Sequence, residues 1–331
     1  MNRTPVNNEF KDRLLQAARD GDIYSYGVSG GEDLTTVMSL LHSVPSDQYI
    51  PRDTLFDLMH TLTEPVDYVN GHDPAGYIFG SGPMKFNEGQ STGSYGRFIR
   101  DIMNDNEDYV QITQTQSAQI LSDQEFNIAI RGLLLTAMAE DGYNVGENPA
   151  QAYYDGLMGY RDENGDMQVG LWDAVSLGFA ENAHGHVVTV TPWADNERIF
   201  VRTELPALLK NERVETINGH PREEFVQELE HYIDQGMTEE DAYTKLNRTM
   251  VMGSSYEFIR NYSQDFAEEL PPHLHHDFQK TTKDGYGDWA AKAQVQASPD
   301  RVIPRIKDEY GFGNIPGVQQ LGDYETEEAA L

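Results

Sequence analysis

Three side chains with complementary chemistry lie between residues 171 and 218: Trp172, Ser176 and Glu204. An aromatic ring can stack on a planar group, a hydroxyl can hydrogen-bond to a ligand, and a carboxylate can stabilise positive charge in a cleft. Along the chain, Trp172, Ser176, Phe179 and Ala183 follow one another at steps of four, three and four residues. This spacing predicts a helix that carries all four residues on one face.

Two short segments after this predicted helix must position Glu204. Residues 187–191 read Val-Val-Thr-Val-Thr, and residues 199–202 read Ile-Phe-Val-Arg. Their β-branched and aromatic composition predicts two strands. Pro206 cannot donate to a strand ladder, so we expect it to end the second strand. A helix followed by two strands brings the Trp, the Ser and the Glu within reach of one cleft.

The same stretch resembles the ADP-ribosyl cyclase/NAD glycohydrolase family over residues 171–218. The matching patterns are Trp-x-x-x-Ser from Trp172, Ala-x-x-Ala-x-Gly-x-Val from Ala180, and Glu-Leu-Pro-x-Leu from Glu204, followed by Asn211 and Val214. Several positions in one register are more specific than any single motif. The resemblance implies an enzyme that cleaves NAD, releases nicotinamide and forms ADP-ribose or cyclic ADP-ribose. It implies NAD as the substrate and no cofactor.

The resemblance also implies a role for each matched side chain. Glu204 takes the position of the family's catalytic glutamate, and Trp172 that of an aromatic residue that stacks on nicotinamide. Ser176 and Phe200 fall where the family contacts the phosphates and the nucleotide. Nicotinamide departs as a neutral pyridine, so the reaction needs no general acid. A carboxylate beside the ribose would stabilise the oxocarbenium-like transition state by its charge and its hydrogen bonds.

A weaker match at residues 77–101 implies the rest of the substrate site. The Phe-Gly-Ser-Gly motif that begins at Phe79 resembles the family's Phe-Trp-Ser-Gly, so we expect Phe79 and Ser81 to contact the substrate. A glycine stands where the family has a stacking tryptophan. The family has an acidic motif near here that contacts nicotinamide, and the nearest candidates are Asp101 and, further on, Asp123 with Glu125. Arg100, on the same predicted helix as Asp101, is expected to contact the substrate as well.

Two other functions are compatible with the sequence. The Ser-Gly-Gly-Glu-Asp run from Ser29 to Asp33 resembles the loop of ATP pyrophosphatases, and a Gly-rich turn before a helix can hold phosphate. That loop normally continues with Ser or Thr, whereas this chain has Leu34. The third possibility is a non-catalytic interaction protein on the same scaffold, because the family's first tryptophan is missing.

Acidic residues dominate the charge of the 331-residue chain. Against 24 Lys and Arg there are 55 Asp and Glu, which gives a net charge of −31. This charge excludes a general nucleic-acid binder or an anionic-membrane binder. The absence of cysteine excludes a disulfide-stapled fold, a thiolate metal site and a cysteine nucleophile, and it separates the chain from the disulfide-rich animal cyclases.

The sequence contains neither a predicted membrane span nor a predicted signal peptide. No apolar run approaches 18 residues, which is the length a membrane span needs. Residues 1–20 are charged and predict an ordinary helix, whereas a signal peptide has an apolar centre. We therefore expect a protein of the cytoplasm, either of the producing cell or of a target cell if the protein is a delivered effector. The protein partner cannot be derived from the sequence.

Two segments contain metal-ligating residue types, but neither predicts a metal site. Residues 162–173 resemble a calcium loop, yet Met167 occupies the position that needs glycine. Asn164 and Gly165 instead predict a tight hairpin turn. The three histidines between 273 and 276 lie beside two prolines, and adjacent histidines in such a loop point apart.

The overall pattern predicts an α+β or α/β fold. Helical spacing covers residues 9–19, 34–41, 51–62, 95–103, 124–140, 151–158, 222–235, 238–248 and 256–266. We expect a helical N-terminal segment (1–65), a cyclase-like core (66–221) and a mostly helical C-terminal extension with an acidic tail (222–331). The core would hold a small, mainly parallel sheet containing Val187–Val190 and Val214–Ile217, with the helical N-terminal part packed on it.

Overall fold

The computed structural model describes residues 3–20, 35–63, 74–80, 109–112, 115, 118, 120, 124–191, 198–255 and 258. Its α-helices are α1 (Asn8–Asp20), α2 (Thr35–His42), α3 (Arg52–Thr61), α4 (Gln124–Glu140), α5 (Pro149–Met158), α6 (Leu171–Asn182), α7 (Leu205–Lys210), α8 (Arg222–Asp234) and α9 (Glu239–Leu246). Its strands are β1 (Thr4–Pro5), β2 (Gln48–Tyr49), β3 (Gly76–Gly80), β4 (Tyr109–Gln111), β5 (Tyr160–Arg161), β6 (Met167–Gln168), β7 (Gly185–Val190), β8 (Val214–Ile217) and β9 (His220–Pro221). Phe200–Glu204 and Asn247–Val251 are π-helical.

The described residues fall into two compact units, and this mixture of helix and sheet is an α+β structure. The first unit takes its residues from within Met1–Gly71 and Ile112–Asn182, and the second from within His72–Gln111 and Ala183–Ile315. The first unit is mainly helical, and the second contains a five-stranded sheet. The division into three consecutive segments stays a prediction.

Close packing between α3 and α6 fixes the position of the helix that carries Trp172. A Cβ atom on Gly178 of α6 would lie 2.4 Å from the Oγ1 atom of Thr63, which follows α3. Glycine at 178 is therefore what allows the two backbones to approach this closely. At the edge of the same contact, Nε2 of His60 lies 2.8 Å from a carboxylate oxygen of Glu181.

The sheet of the second unit has the strand order β4-β3-β7-β8-β9. The first four strands run parallel, and β9 returns antiparallel to β8. The predicted parallel placement of Val187–Val190 and Val214–Ile217 is confirmed. Asn218 and Gly219 join β8 to β9 with φ angles of 53° and 83°. Two consecutive positive φ angles are typical of a two-residue hairpin turn, and Asn-Gly is the pair that adopts it most readily.

The segment 199–202 is helical, so the strand predicted there is wrong. Phe200–Glu204 forms a π turn that continues directly into α7. Pro206 lies in the first turn of α7, where a missing N–H and a fixed φ are tolerated, so this proline begins a helix instead of ending a strand. The apolar composition of the segment reflects burial, because Phe200 and Val201 are both buried.

Most of the other predicted elements are confirmed. The helices predicted at 9–19, 34–41, 51–62, 124–140, 151–158, 222–235 and 238–248 are present within a few residues, the last of them changing to the π form at Asn247. The prediction at 95–103, and nearly all of that at 256–266, lies outside the described residues. In the part of the chain that the structure describes, no helix is long and apolar enough to cross a membrane.

The hairpin predicted around Asn164 is also confirmed. Strands β5 and β6 pair antiparallel across this turn. The Oδ1 atom of Asp162 accepts hydrogen bonds from the backbone N–H groups of Asn164 and Asp166, at 2.9 and 3.0 Å. Its Oδ2 atom accepts a third from Nε2 of Gln168 at 3.0 Å. The carboxylate therefore stabilises the turn itself.

Candidate functional site

Among the acidic residues that the structure describes, only Asp173 and Glu204 are buried. Glu204 is 6% exposed and ends the π turn that leads into α7. Glutamate is almost never buried without interacting groups, and the cost of removing its charge from water is large. A buried carboxylate in a chain with 55 acidic residues therefore marks a specialised position. Chemically, it can stabilise positive charge that develops on a bound ligand.

The side chain of Asp173 hydrogen-bonds to the backbone at the start of α6. Its Oδ2 atom accepts a hydrogen bond of 2.8 Å from the backbone N–H of Gly170. A Cβ atom on Gly170 would lie 2.2 Å from the carbonyl oxygen of Leu157, so the chain makes a close approach here. The burial of Asp173 thus accompanies the fold of this turn.

Trp172 and Ser176 lie one turn apart on α6 in the first unit, as the sequence predicted. They are 8% and 3% exposed. The residues between them on the helix are buried as well, and so is Phe179. The helix is therefore enclosed on more than one face, and the spacing of its apolar residues alone does not define a ligand-facing side.

The two phenylalanines of the predicted site are buried in the second unit. Phe79 lies in β3, where it pairs with Thr189 of β7, and is 2% exposed. Phe200 opens the π turn that Glu204 ends, and has no exposed surface. Of the predicted site residues, this unit therefore contains Phe79, Phe200 and Glu204. Ser81, Arg100 and Asp101, and the alternative loop from Ser29 to Asp33, lie outside the described residues.

Sequence analysis missed a buried polar network at the carboxyl end of β7. The Oδ1 atom of Asn218 accepts from the backbone N–H of Thr189 at 2.7 Å. Its Nδ2 group donates to Oγ1 of Thr189 at 2.8 Å and to Oγ of Ser254 at 3.0 Å. The hydroxyl of Ser255 donates to the carbonyl oxygen of Thr189 at 2.5 Å and accepts from the backbone N–H of Thr191 at 2.9 Å. The alternating Thr-Val-Thr at residues 189–191 is the one sequence signal of this network.

A second polar cluster lies in the first unit, between the loop after α4 and the helix α5. The hydroxyl of Tyr143 donates a short hydrogen bond to Asp155, and Nε2 of Gln151 donates to the same carboxylate at 2.7 Å. Burial raises the pKa of Asp155, although both hydrogen bonds act in the opposite direction. Burial and the hydrogen bond to Asp155 also raise the pKa of Tyr143. The cluster ties the loop to α5.

Metal-ligating residues do not gather in the described ranges: no group of three or more His, Asp or Glu there could hold a metal ion. The three histidines between 273 and 276 lie outside those ranges. Comparison of the chain with family models, with curated proteins and with solved structures finds no match.

Proposed function

We propose that the protein cleaves NAD at the bond between nicotinamide and ribose. The observation that carries the proposal is the burial of Glu204 at the head of the Glu-Leu-Pro-x-Leu pattern. The resemblance to ADP-ribosyl cyclases and NAD glycohydrolases assigns the catalytic carboxylate to this residue. A glutamate on a solvated helix end would be expected to stay exposed.

In the proposed reaction the C1′–N1 bond breaks and its electron pair leaves with the nicotinamide nitrogen. Nicotinamide departs neutral, and the ribose becomes an oxocarbenium-like cation. The carboxylate of Glu204 stabilises this cation by its charge and by hydrogen bonds to the ribose hydroxyls. Water then adds to C1′ and loses a proton to give ADP-ribose, or the adenine ring adds to give cyclic ADP-ribose. NAD is a small-molecule substrate, and the reaction requires no cofactor.

Two further features support the proposal. Trp172 and Ser176 are one turn apart on a single helix, as the roles of nicotinamide stacking and phosphate contact require. The mixture of helices and a mostly parallel sheet among the described residues supports the α+β class that the resemblance implies. On this proposal, Phe79 and Phe200 shape the nucleotide pocket from within the core, because both are buried.

The proposal is tested by nicotinamide release from NAD. Glu204→Gln keeps the size of the side chain and removes its charge, so we expect a loss of about 10²–10³-fold in the rate. Glu215→Gln is the matched control, because Glu215 lies in the same unit on β8 and is exposed. The control should release nicotinamide at the wild-type rate.

Equal rates for wild type and folded Glu204→Gln would contradict the assignment of the catalytic carboxylate. A parallel incubation with ATP and Mg²⁺ separates the alternatives. AMP and pyrophosphate would favour the pyrophosphatase function, and no product from either nucleotide would favour an interaction protein.

A further inference from the structure

The strand order of the sheet in the second unit changes direction between the neighbouring strands β3 and β7. The next strand along the chain after β3 is β4, which pairs with β3 on the side away from β7. The next strand after β7 is β8, which pairs with β7 on the side away from β3. The two central strands are parallel, and Gly80 at the end of β3 pairs with Val190 at the end of β7. In open parallel sheets, ligands bind outside the carboxyl ends of the strands at such a switch point.

Thr189, in β7, and Thr191, directly after β7, differ in the hydrogen bonding of their hydroxyl groups. Thr189 and Thr191 both have no exposed surface. The hydroxyl of Thr189 accepts a hydrogen bond from Asn218, and Ser255 bonds to the backbone of both threonines. The Oγ1 atom of Thr191 has no hydrogen-bond partner among the described residues.

A buried hydroxyl without a partner destabilises the folded protein, because it gives up its hydrogen bonds to water. Valine has almost the shape of threonine and would avoid this cost at position 191. The same network that surrounds Thr189 holds the backbone of Thr191 in place, so the hydroxyl is held in position next to the switch point. A bound ligand that supplies a hydrogen-bond partner would account for it.

We propose that the carboxyl end of the sheet at β3 and β7 binds the ADP-ribose part of the nucleotide, and that the hydroxyl of Thr191 hydrogen-bonds to it. The identity of this ligand rests on the proposed NAD cleavage, whereas the position of the site rests on the sheet. Phosphate and ribose oxygens both accept from a neutral hydroxyl, which suits a chain with a net charge of −31. Gly80 is exposed beside Val190 and presents no side chain, so a ligand can approach the backbone there.

The experiment compares ADP-ribose binding and thermal stability in two single variants. Thr191→Val should bind ADP-ribose about 10-fold more weakly in calorimetry, and its Tm should equal or exceed that of wild type. Thr189→Val is the matched control two residues earlier, in β7, and its Tm should fall because Asn218 loses an acceptor. Thr191→Ser keeps the hydroxyl and should bind nearly as wild type does.

Unchanged ADP-ribose affinity in Thr191→Val would overturn the inference, and so would a Tm loss as large as that of Thr189→Val. Nicotinamide release by the wild-type protein is measured in parallel. Release together with unchanged affinity in Thr191→Val removes this inference and leaves the proposed function. Weakened binding in Thr191→Val without any release by wild type removes the proposed function and leaves the site. A wild-type protein that does not bind ADP-ribose overturns the inference in either case.

Discussion

The backbone N–H of Leu205 donates to the carbonyl oxygen of Phe200, five residues earlier. This bond makes a π turn directly before Pro206. In a regular α-helix the ring of Pro206 would clash with the carbonyl group of Arg202, four residues before it. The wider turn avoids this clash by inserting one extra residue, so the direction of the Glu204 side chain depends on the proline.

Replacing Pro206 with alanine should therefore impair catalysis more than folding. Alanine restores an N–H group and favours the α form, so Tm should stay the same or rise. A return to α-helical hydrogen bonding would turn Glu204 away from its present direction, and we expect nicotinamide release to fall about 10-fold or more. Pro149→Ala is the control, because Pro149 also lies in the first turn of a helix but in the first unit. Full activity in Pro206→Ala would show that the π turn does not position Glu204.

Trp172 should affect both stability and activity. It is 8% exposed, so Trp172→Ala should destabilise the protein by about 3–5 kcal/mol and lower nicotinamide release by roughly 10–100-fold. Trp172→Phe separates the two effects, because it restores much of the packing with a smaller stacking surface. Urea unfolding and the rate of nicotinamide release should be measured on the same preparations.

The matched control for this helix is Phe179→Leu. Phe179 is a fully buried aromatic residue on α6 to which the resemblance assigns no role in catalysis. We expect Phe179→Leu to lower the free energy of unfolding and to leave the rate of nicotinamide release per folded molecule unchanged. Full recovery of both stability and activity in Trp172→Phe would mean that Trp172 serves packing alone.

The spacing and the type of apolar residues correctly predicted the helices and strands that depend on nearby residues alone. The apolar spacing of 124–140 gave the limits of α4, and the Val-rich run after Gly185 gave β7. The π turn could not be predicted in this way, because aromatic and β-branched residues favour strands locally while Pro206 permits a helix start. The hydrogen-bond partners of Thr189 could not be predicted either, since Asn218 and Ser255 lie 29 and 66 residues away along the chain.

Asn218 should be among the residues most sensitive to substitution in the second unit. Asn218→Ala removes three side-chain hydrogen bonds and leaves the backbone N–H of Thr189 buried without its acceptor. Alanine is also strained at a φ of 53°. We expect a loss of about 3 kcal/mol in the free energy of unfolding, measured with urea.

Asn218→Gly separates the contribution of the lost hydrogen bonds from the contribution of backbone strain. Glycine adopts the positive φ without strain but makes no side-chain hydrogen bonds. Its stability should lie between those of wild type and Asn218→Ala. If both variants unfold at the wild-type urea concentration, the network at the end of β7 contributes nothing to stability.

Tyr243 should make the stability of the protein depend on alkaline pH. Its side chain is almost fully buried, and burial, with a smaller contribution from the charge of Glu239, raises its pKa to about 12. The pKa of tyrosine in an unfolded chain is about 10. The folded protein thus binds the phenolic proton more tightly than the unfolded chain, and the associated stability is fully present below pH 10 and is lost as the pH rises from 10 to 12. From this residue alone, the free energy of unfolding at pH 11 should be roughly 1.4 kcal/mol lower than at pH 9.

Tyr243→Phe has no proton to lose and should show a decline in the free energy of unfolding that is smaller by this amount in urea titrations at the two pH values. Below pH 9, wild type and variant should show the same pH dependence, which serves as the internal control. Parallel declines between pH 9 and 11 would show that Tyr243 does not ionise at a higher pH in the folded protein than in the unfolded chain.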